Sequence, residues 1–216
     1  MVHLMGKAYP SVQIFKNPTL EKLTHVNPIT PLIVWTPVIA YFIYISAAVD
    51  HLSVLTIAAW MAAGLFLWTL VEYLLHRYIF HFQPKGKTQE FVHFIIHGNH
   101  HEDPNDPTRL VMPPAAAIII ATVLFSLFRL ALGPVLVHPF FGSFLIGYLI
   151  YDYTHFAIHH FRPRTRFGKM VKQSHMAHHF VGHHSRWGVS SPLWDYVFGT
   201  IEEPSKGAAN RVRHGS

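Results

Sequence analysis

The chain contains no cysteine, which excludes disulfides, thiolate metal ligands and a cysteine nucleophile. Charge is scarce as well. Only 13% of the 216 residues are Asp, Glu, Lys or Arg, against about a quarter in soluble domains. Half of the residues are hydrophobic and the mean hydropathy is +0.24, so composition points to a membrane protein of one ordinary domain. Three catalytic templates are missing from the sequence: a GxSxG nucleophile elbow, a phosphate-cradling glycine loop and an HExxH zinc helix. The N-terminus lacks the charged, apolar and small-residue succession of a removable signal peptide, and none is expected.

What is abundant is histidine, with 19 copies. The net charge of +6 and pI near 9.6 could suit nucleic acid. The basic residues, however, flank apolar runs rather than forming a separate face, so anionic lipid headgroups are the expected partner and nucleic acid is not.

Residues 1–30 read as a short amphipathic segment at a membrane surface. Four apolar runs follow, about 31–49, 52–75, 114–132 and 140–158, each near the roughly 20 residues of a spanning helix. Asp50-His51 is the polar interruption between the first two, and Gly133-Pro134 breaks the chain between the last two. A short segment with His138 is expected before the fourth run. Pro37 falls inside the first run, which membrane helices tolerate. Between the hairpins, Phe82 to Pro114 is polar and histidine-rich, helical from Thr88 to His97, and then broken by Pro104 and Pro107. The predicted fold class is thus an all-α integral membrane protein with four transmembrane helices in two hairpins. Residues 31–200 form its membrane domain and 201–216 a polar tail. Lys7, Lys16, Lys22, Arg77, Lys85, Lys87, Arg109 and the basic group from Arg162 to Lys172 fall on one side, with both termini. The positive-inside rule makes that side cytosolic.

Every histidine cluster lies there too. His97, His100 and His101 stand at i, i+3 and i+4, as do His175, His178 and His179, and His155 and His159 stand at i, i+4. On a helix such offsets are expected to share one face and reach a common ion. His76 and His81 are five apart. They meet one metal only if the helix ends or loosens between them, or else each serves a different ion. Ten candidate ligands exceed what one tetrahedral zinc takes, so two ions are expected. Imidazoles leave the metal charge uncompensated, which favours acidic groups behind the ligands. Glu72, four before His76, and Asp152, three before His155, are each placed to accept an Nδ1–H, with Asp195 a weaker candidate. His93 and His160 are expected behind the ligands rather than on the metals. His3, His25, His51, His138 and His214 read as ordinary polar residues, and His51 and His138 lie on the far side. A pH sensor would not need HxxHH twice, and an affinity tag would be one contiguous run.

Five blocks carry a resemblance: EYLLHRYIFH at 72–81, HFIIHGNHH at 93–101, YDYTHFAIHH at 151–160, HMAHH at 175–179 and WGVSSPLWDYVFGT at 187–200. Their order and spacing resemble the fatty acid hydroxylase superfamily of membrane non-haem di-iron proteins, and within it the fatty acid 2-hydroxylase branch acting on sphingolipid acyl chains. The resemblance runs from about Pro31 to Thr200. It implies metal ligands at His76, His81, His97, His100, His101, His155, His159, His175, His178 and His179, and it leaves out His183 and His184. It also implies a four-span anchor under a cytosolic helical cap, with a dinuclear site between them. By the same resemblance the enzyme is a monooxygenase using two iron ions and O2 as co-substrate, with zinc possible in purified protein. It would place one oxygen on the carbon next to the acyl carbonyl of a free fatty acid, ceramide or related lipid. No HPGG haem motif is present, so the implied electron donor is a separate cytochrome b5-like or ferredoxin-like partner. The rival enzymes are sterol oxidases, desaturases and carotenoid hydroxylases on the same centre. A metal transporter or metal-binding membrane protein is a more distant rival, because it would need ligands through the midplane and the runs are nearly free of them.

Overall fold

Each apolar run has the composition to form a helix, and each does so. The structure, a computed structural model, describes residues 11–182 and 184–201 together with the backbone of 2–4 and 7–9. Two three-residue strands, β1 (Val2–Leu4) and β2 (Lys7–Tyr9), pair antiparallel, and the other regular elements among the described residues are helical. Helix α1 (Pro18–Leu23) starts with Asn17 accepting from the backbone of Thr19 and Leu20. Helix α2 spans Thr30–Ala48 with Pro37 inside it, and α3 spans Val54–Leu74 behind a Ser53 cap. Helix α3 continues as a π-helical turn, Leu75–Phe80. Helix α4 (Lys87–His93), a second π-helical turn (Phe94–Gly98) and α5 (Asn99–Glu102) follow without a break. This helical stretch therefore runs past the predicted end at His97 to Glu102.

Helix α6, Pro114–His160, covers the third and fourth runs and folds back on itself. Gly133 sits at φ 81° and ψ 174°, a conformation open to glycine, and Pro134 starts the next helix with its φ already set. The ring centroids of Phe128 and Phe144 are 5.2 Å apart and those of Phe125 and Phe141 also 5.2 Å. Residues 16 apart on a straight helix would be about 24 Å apart, so the two arms form a hairpin. The second arm starts at Pro134 rather than 140, so the short segment with His138 expected before the fourth run is part of that helix. Helices α7 (Arg166–Phe180), capped by Thr165, and α8 (Leu193–Val197) follow. The polar tail expected over 201–216 lies, beyond residue 201, outside the described residues, as do His183 and His214.

Among the described residues three helices, Thr30–Ala48, Val54–Phe80 and Pro114–His160, are long and apolar enough to cross a membrane. Close approaches set their directions. A Cβ on Gly64 would lie 2.1 Å from the Phe140 carbonyl oxygen, and one on Gly147 would lie 2.5 Å from the Trp68 ring. Residue numbers rise together on both sides, so α3 and the second arm of α6 run parallel and bring His76 and His155 to the same end. Helix α2 runs the opposite way, with Trp35 against Tyr148 and Phe42 against His138. The far end is closed by His138 Nδ1 and Asp50 Oδ2 at 2.6 Å. Trp35, Trp68, Phe141, Phe144 and Tyr148 fill the core between these helices.

Candidate metal centre

The ten imidazoles predicted from spacing gather in two groups of five. His76, His81, His97, His101 and His178 form one; His100, His155, His159, His175 and His179 form the other, and within each group the ligating atoms lie within 4.8 Å of one another. In the first, Nε2 atoms approach at 3.2 Å (His76–His97), 3.1 Å (His81–His101 and His97–His101) and 3.0 Å (His81–His178). In the second they approach at 2.9 Å (His100–His155) and 3.0 Å (His100–His179, His159–His175 and His175–His179). The groups adjoin, for the His101 and His179 rings stack at 4.1 Å.

Neither HxxHH motif serves one group, contrary to the expectation of a shared face. On a helix i+4 lies about 40° to one side of i and i+3 about 60° to the other. His97 and His101 therefore share a group while His100 turns into the other. His175 and His179 likewise stay together while His178 crosses. Each half of the chain lends one imidazole to the other's group, which ties α5 and α7 together through the centre. The five-residue spacing of His76 and His81 is solved by loosening. The π-helical turn between them, with His81 N–H donating to the His76 carbonyl at 3.2 Å, brings their rings to 5.0 Å. A second π-turn sets the phase of His97. Asn99 Nδ2 donates to the carbonyls of Phe94 and Ile95 at 2.8 and 2.9 Å, bracing the widened turn from its C-terminal end.

The groups behind the rings differ from the predicted ones. His76 Nδ1 donates to the Trp187 carbonyl (2.5 Å) and His178 Nδ1 to the Ser185 carbonyl (2.7 Å). Those bonds fix the tautomers and turn the Nε2 lone pairs inward. Glu72 does not receive His76. Its oxygens accept from Val189 N (2.9 Å), Ser190 N (2.7 Å) and the Ser190 hydroxyl, because His76 is already engaged by the 185–190 loop that Glu72 holds. Asp152 accepts from the Tyr148 hydroxyl at 2.9 Å rather than from His155. Asp195 accepts from the backbone of Trp187 and Gly188, each at 2.8 Å, and from Thr200 at 2.7 Å. Burial pushes its carboxyl up, against those three bonds. His93 and His160 stand outside both groups; His93 lies 6.3 Å from His81 and His160 packs on Phe156. His184 is exposed, and His25 binds Thr108. Backbone carbonyls on a loop carry no side-chain signature, so Ser185 and Trp187 were not legible as site residues.

Burial, and after it the proximity of other imidazoles, lowers the proton affinity of His97, His100 and His175 well below the usual range, and that of His81 and His179 also. The unfolded chain takes up protons near the ordinary 6.5 that the folded cluster refuses, so it binds more protons below that pH and stability falls as pH drops. Metal-free protein in detergent is therefore expected to melt at steadily lower temperature from about pH 7 to about pH 5. A calorimetric midpoint that is flat or rises over that range contradicts this.

Buried neutral nitrogens facing each other at about 3 Å suit a cation between them. Two ligands about 2.1 Å from an ion and about 90° apart are themselves about 3.0 Å apart. Residues 60–200 match the family model described as fatty acid hydroxylase. The chain belongs to the fatty acid hydroxylase family. The family span includes all ten clustered histidines and both carboxylates that hold the 185–190 loop. Similar proteins include a dihydroceramide fatty acyl 2-hydroxylase of Arabidopsis thaliana, 40% identical over 78% of this chain and 70% of that protein. The ceramide very long chain fatty acid hydroxylase of Schizosaccharomyces pombe is 36% identical over 88% of this chain and 55% of its own length. A solved structure of full-length scs7p, with only its hydroxylase domain visible, superposes with a TM-score of 0.81 at 35% identity, over 88% of this chain and 72% of that one.

Proposed function

We infer that this hydroxylase is an O2-dependent di-iron monooxygenase that converts the methylene next to the carbonyl of a lipid acyl chain into a hydroxymethylene. One observation carries the reading: two adjoining groups of five imidazoles at the end of an apolar helical stem, in a chain similar to named 2-hydroxylases. His76, His81, His97, His101 and His178 would hold one iron, and His100, His155, His159, His175 and His179 the other. Two iron ions held there would supply the dioxygen chemistry. Overall, R–CH2–C(=O)– plus O2, two electrons and two protons gives R–CH(OH)–C(=O)– plus water. The electrons come from a separate cytochrome b5-like or ferredoxin-like donor.

The chain's own contribution is arrangement. Trp187 lies over His76, His81 and His178 at 5.7, 5.0 and 5.2 Å, walling one group from water. The carbonyls of Ser185 and Trp187 hold two imidazoles in the tautomer that binds metal. His97, His100 and His155 line an apolar cavity of about 400 Å³, so a lipid there touches both groups. The four helical rods are read as four membrane spans; from Pro134 to Asp152 the second arm rises about 27 Å, close to the hydrocarbon thickness of about 30 Å. The lysines and arginines around the histidine end support the reading that this end faces the cytosol. The reading divides the chain into an interfacial segment (1–30), the membrane hydroxylase domain (31–200) and a polar tail (201–216).

Lipids from cells expressing the chain are expected to contain 2-hydroxy acyl chains that are missing from cells expressing His100→Ala, as read by mass spectrometry. Desaturated or sterol products in their place would select a different oxidation on the same centre. Zinc in purified protein would be compatible with the reading, since zinc binds nitrogen sites more strongly than ferrous iron.

A further inference from the structure

The cavity that reaches the histidines has a wall from outside the matched family span of 60–200. Ile14, Phe15, Leu20, Leu23 and Thr24 line it from the N-terminal side, opposite His97, His100 and His155. That segment is tied down rather than laid loosely over the opening. Arg109, whose side chain is only 5% exposed, meets Glu21 Oε1 at 2.6 Å and donates to Thr24 Oγ1 at 3.1 Å and to the Val12 carbonyl. The other Glu21 oxygen accepts from the backbone of Ile14 (3.0 Å) and Phe15 (2.8 Å), shaping the turn that presents both residues to the cavity. Ser11 donates to Asp106 at 2.5 Å, and Val26 N donates to the Thr108 carbonyl at 2.8 Å. A charge pair this enclosed holds geometry more firmly than a surface pair.

The rim is apolar where a soluble protein would be polar. Leu20 and Leu23 on the strap and Ile79 and Ile96 opposite are 46%, 69%, 51% and 43% exposed, and all four line the cavity. Exposed apolar residues around a mouth that leads to buried imidazoles suit an occupant arriving from lipid. We propose that residues 11–26 form the outer wall and entrance lip of the acyl-chain site, latched shut by Arg109 and Glu21, so that the chain enters between Leu20–Leu23 and Ile79–Ile96. The proposal rests on the acyl-hydroxylase reading and adds where the substrate lies.

The test uses the metal-loaded full chain in lipid nanodiscs, supplied with O2 and with electrons from cytochrome b5, its reductase and NADH, and two probes with a mid-chain diazirine, a long-chain fatty acid and a ceramide. Photolabelled peptides from 11–26 and from around Ile96 are expected with whichever probe is a substrate, and competition by the unlabelled lipid should remove both. Leu20→Trp, which narrows the mouth, is expected to raise KM at least tenfold with kcat and metal content kept, and Glu21→Gln to raise KM and weaken labelling of the strap. Labels confined to the lipid-facing sides of α2 and α6 would overturn the proposal, as would an unchanged KM in a folded, metal-replete Leu20→Trp protein. If the strap is labelled competitively but no probe is hydroxylated, the functional reading fails while the site stands. Hydroxylation without strap labelling gives the reverse result.

Discussion

Replacing His178 by alanine is expected to empty the metal group that contains His76, even though His178 is flanked in sequence by members of the other group. The reason is helical phase. His178 sits between His175 and His179 on α7, yet its Nε2 lies 3.0 Å from His81 and its ring 4.7 Å from His76. His100 is its counterpart, set among His97 and His101 but within 2.9 Å of His155. Either single substitution should reduce hydroxylation to below about 1% of the parent, since even altering the groups behind a ligand costs 10- to 100-fold. The sharper result concerns pairs. His178→Ala with His76→Ala should lose no more metal than His178→Ala alone, because both empty one group. His178→Ala with His175→Ala should lose both ions. Metal counted per chain in purified protein, with His51→Ala at the far end as control, separates the two patterns. Loss of both ions from the His178/His76 pair and of only one from the His178/His175 pair, or equal losses from the two, would mean that the crossed arrangement is wrong.

The centre was partly legible in the sequence. Residue type and spacing brought out all ten members, because imidazoles at i, i+3 and i+4 beside apolar runs have few other uses. The four helical rods were legible as well, since each needs only a nearly uncharged run and a breaker, and Gly133 with Pro134 supplied one of the breakers. The partition into two groups was not legible, because it depends on how α5 and α7 face each other and no local pattern fixes that. Neither were the π-turns, although the spacing of His76 and His81 allowed an ended or loosened helix as one of two solutions, the other being a different ion for each. Glu72 was picked out as an acid near a histidine, and Asp195 as a weaker candidate. Their role differs from the expected one because hydrogen bonding in the folded chain runs through the backbone of 185–190, more than a hundred residues from Glu72 in sequence.

That loop is the second place where a small change should have a large effect. It supplies two carbonyls to imidazoles and is itself gripped by two buried carboxylates. Gly188 lies at its centre, and a Cβ there would stand 2.1 Å from the Ser191 carbonyl oxygen and 2.9 Å from Asp195 Oδ2. Gly188→Ala must therefore shift backbone rather than a flexible side-chain end. The Trp187 carbonyl that orients His76 moves with it, and metal affinity and turnover are each expected to fall by about 10- to 100-fold. Glu72 offers a comparison that separates geometry from charge. Glu72→Gln keeps one acceptor for the Val189 and Ser190 N–H groups and can donate to the Ser190 hydroxyl, so the loop should hold and metal binding should change little. Glu72→Ala strands two N–H donors, at about 1–3 kcal/mol each where buried, and frees the loop to move away from His76. Its thermal midpoint should drop, and added ferrous ion should restore it only in part. The measurement is metal content and melting temperature for the three variants, with and without added ferrous ion. Should Glu72→Ala bind metal as well as Glu72→Gln does, the loop is not what orients His76, and the imidazoles hold their positions through the helices alone.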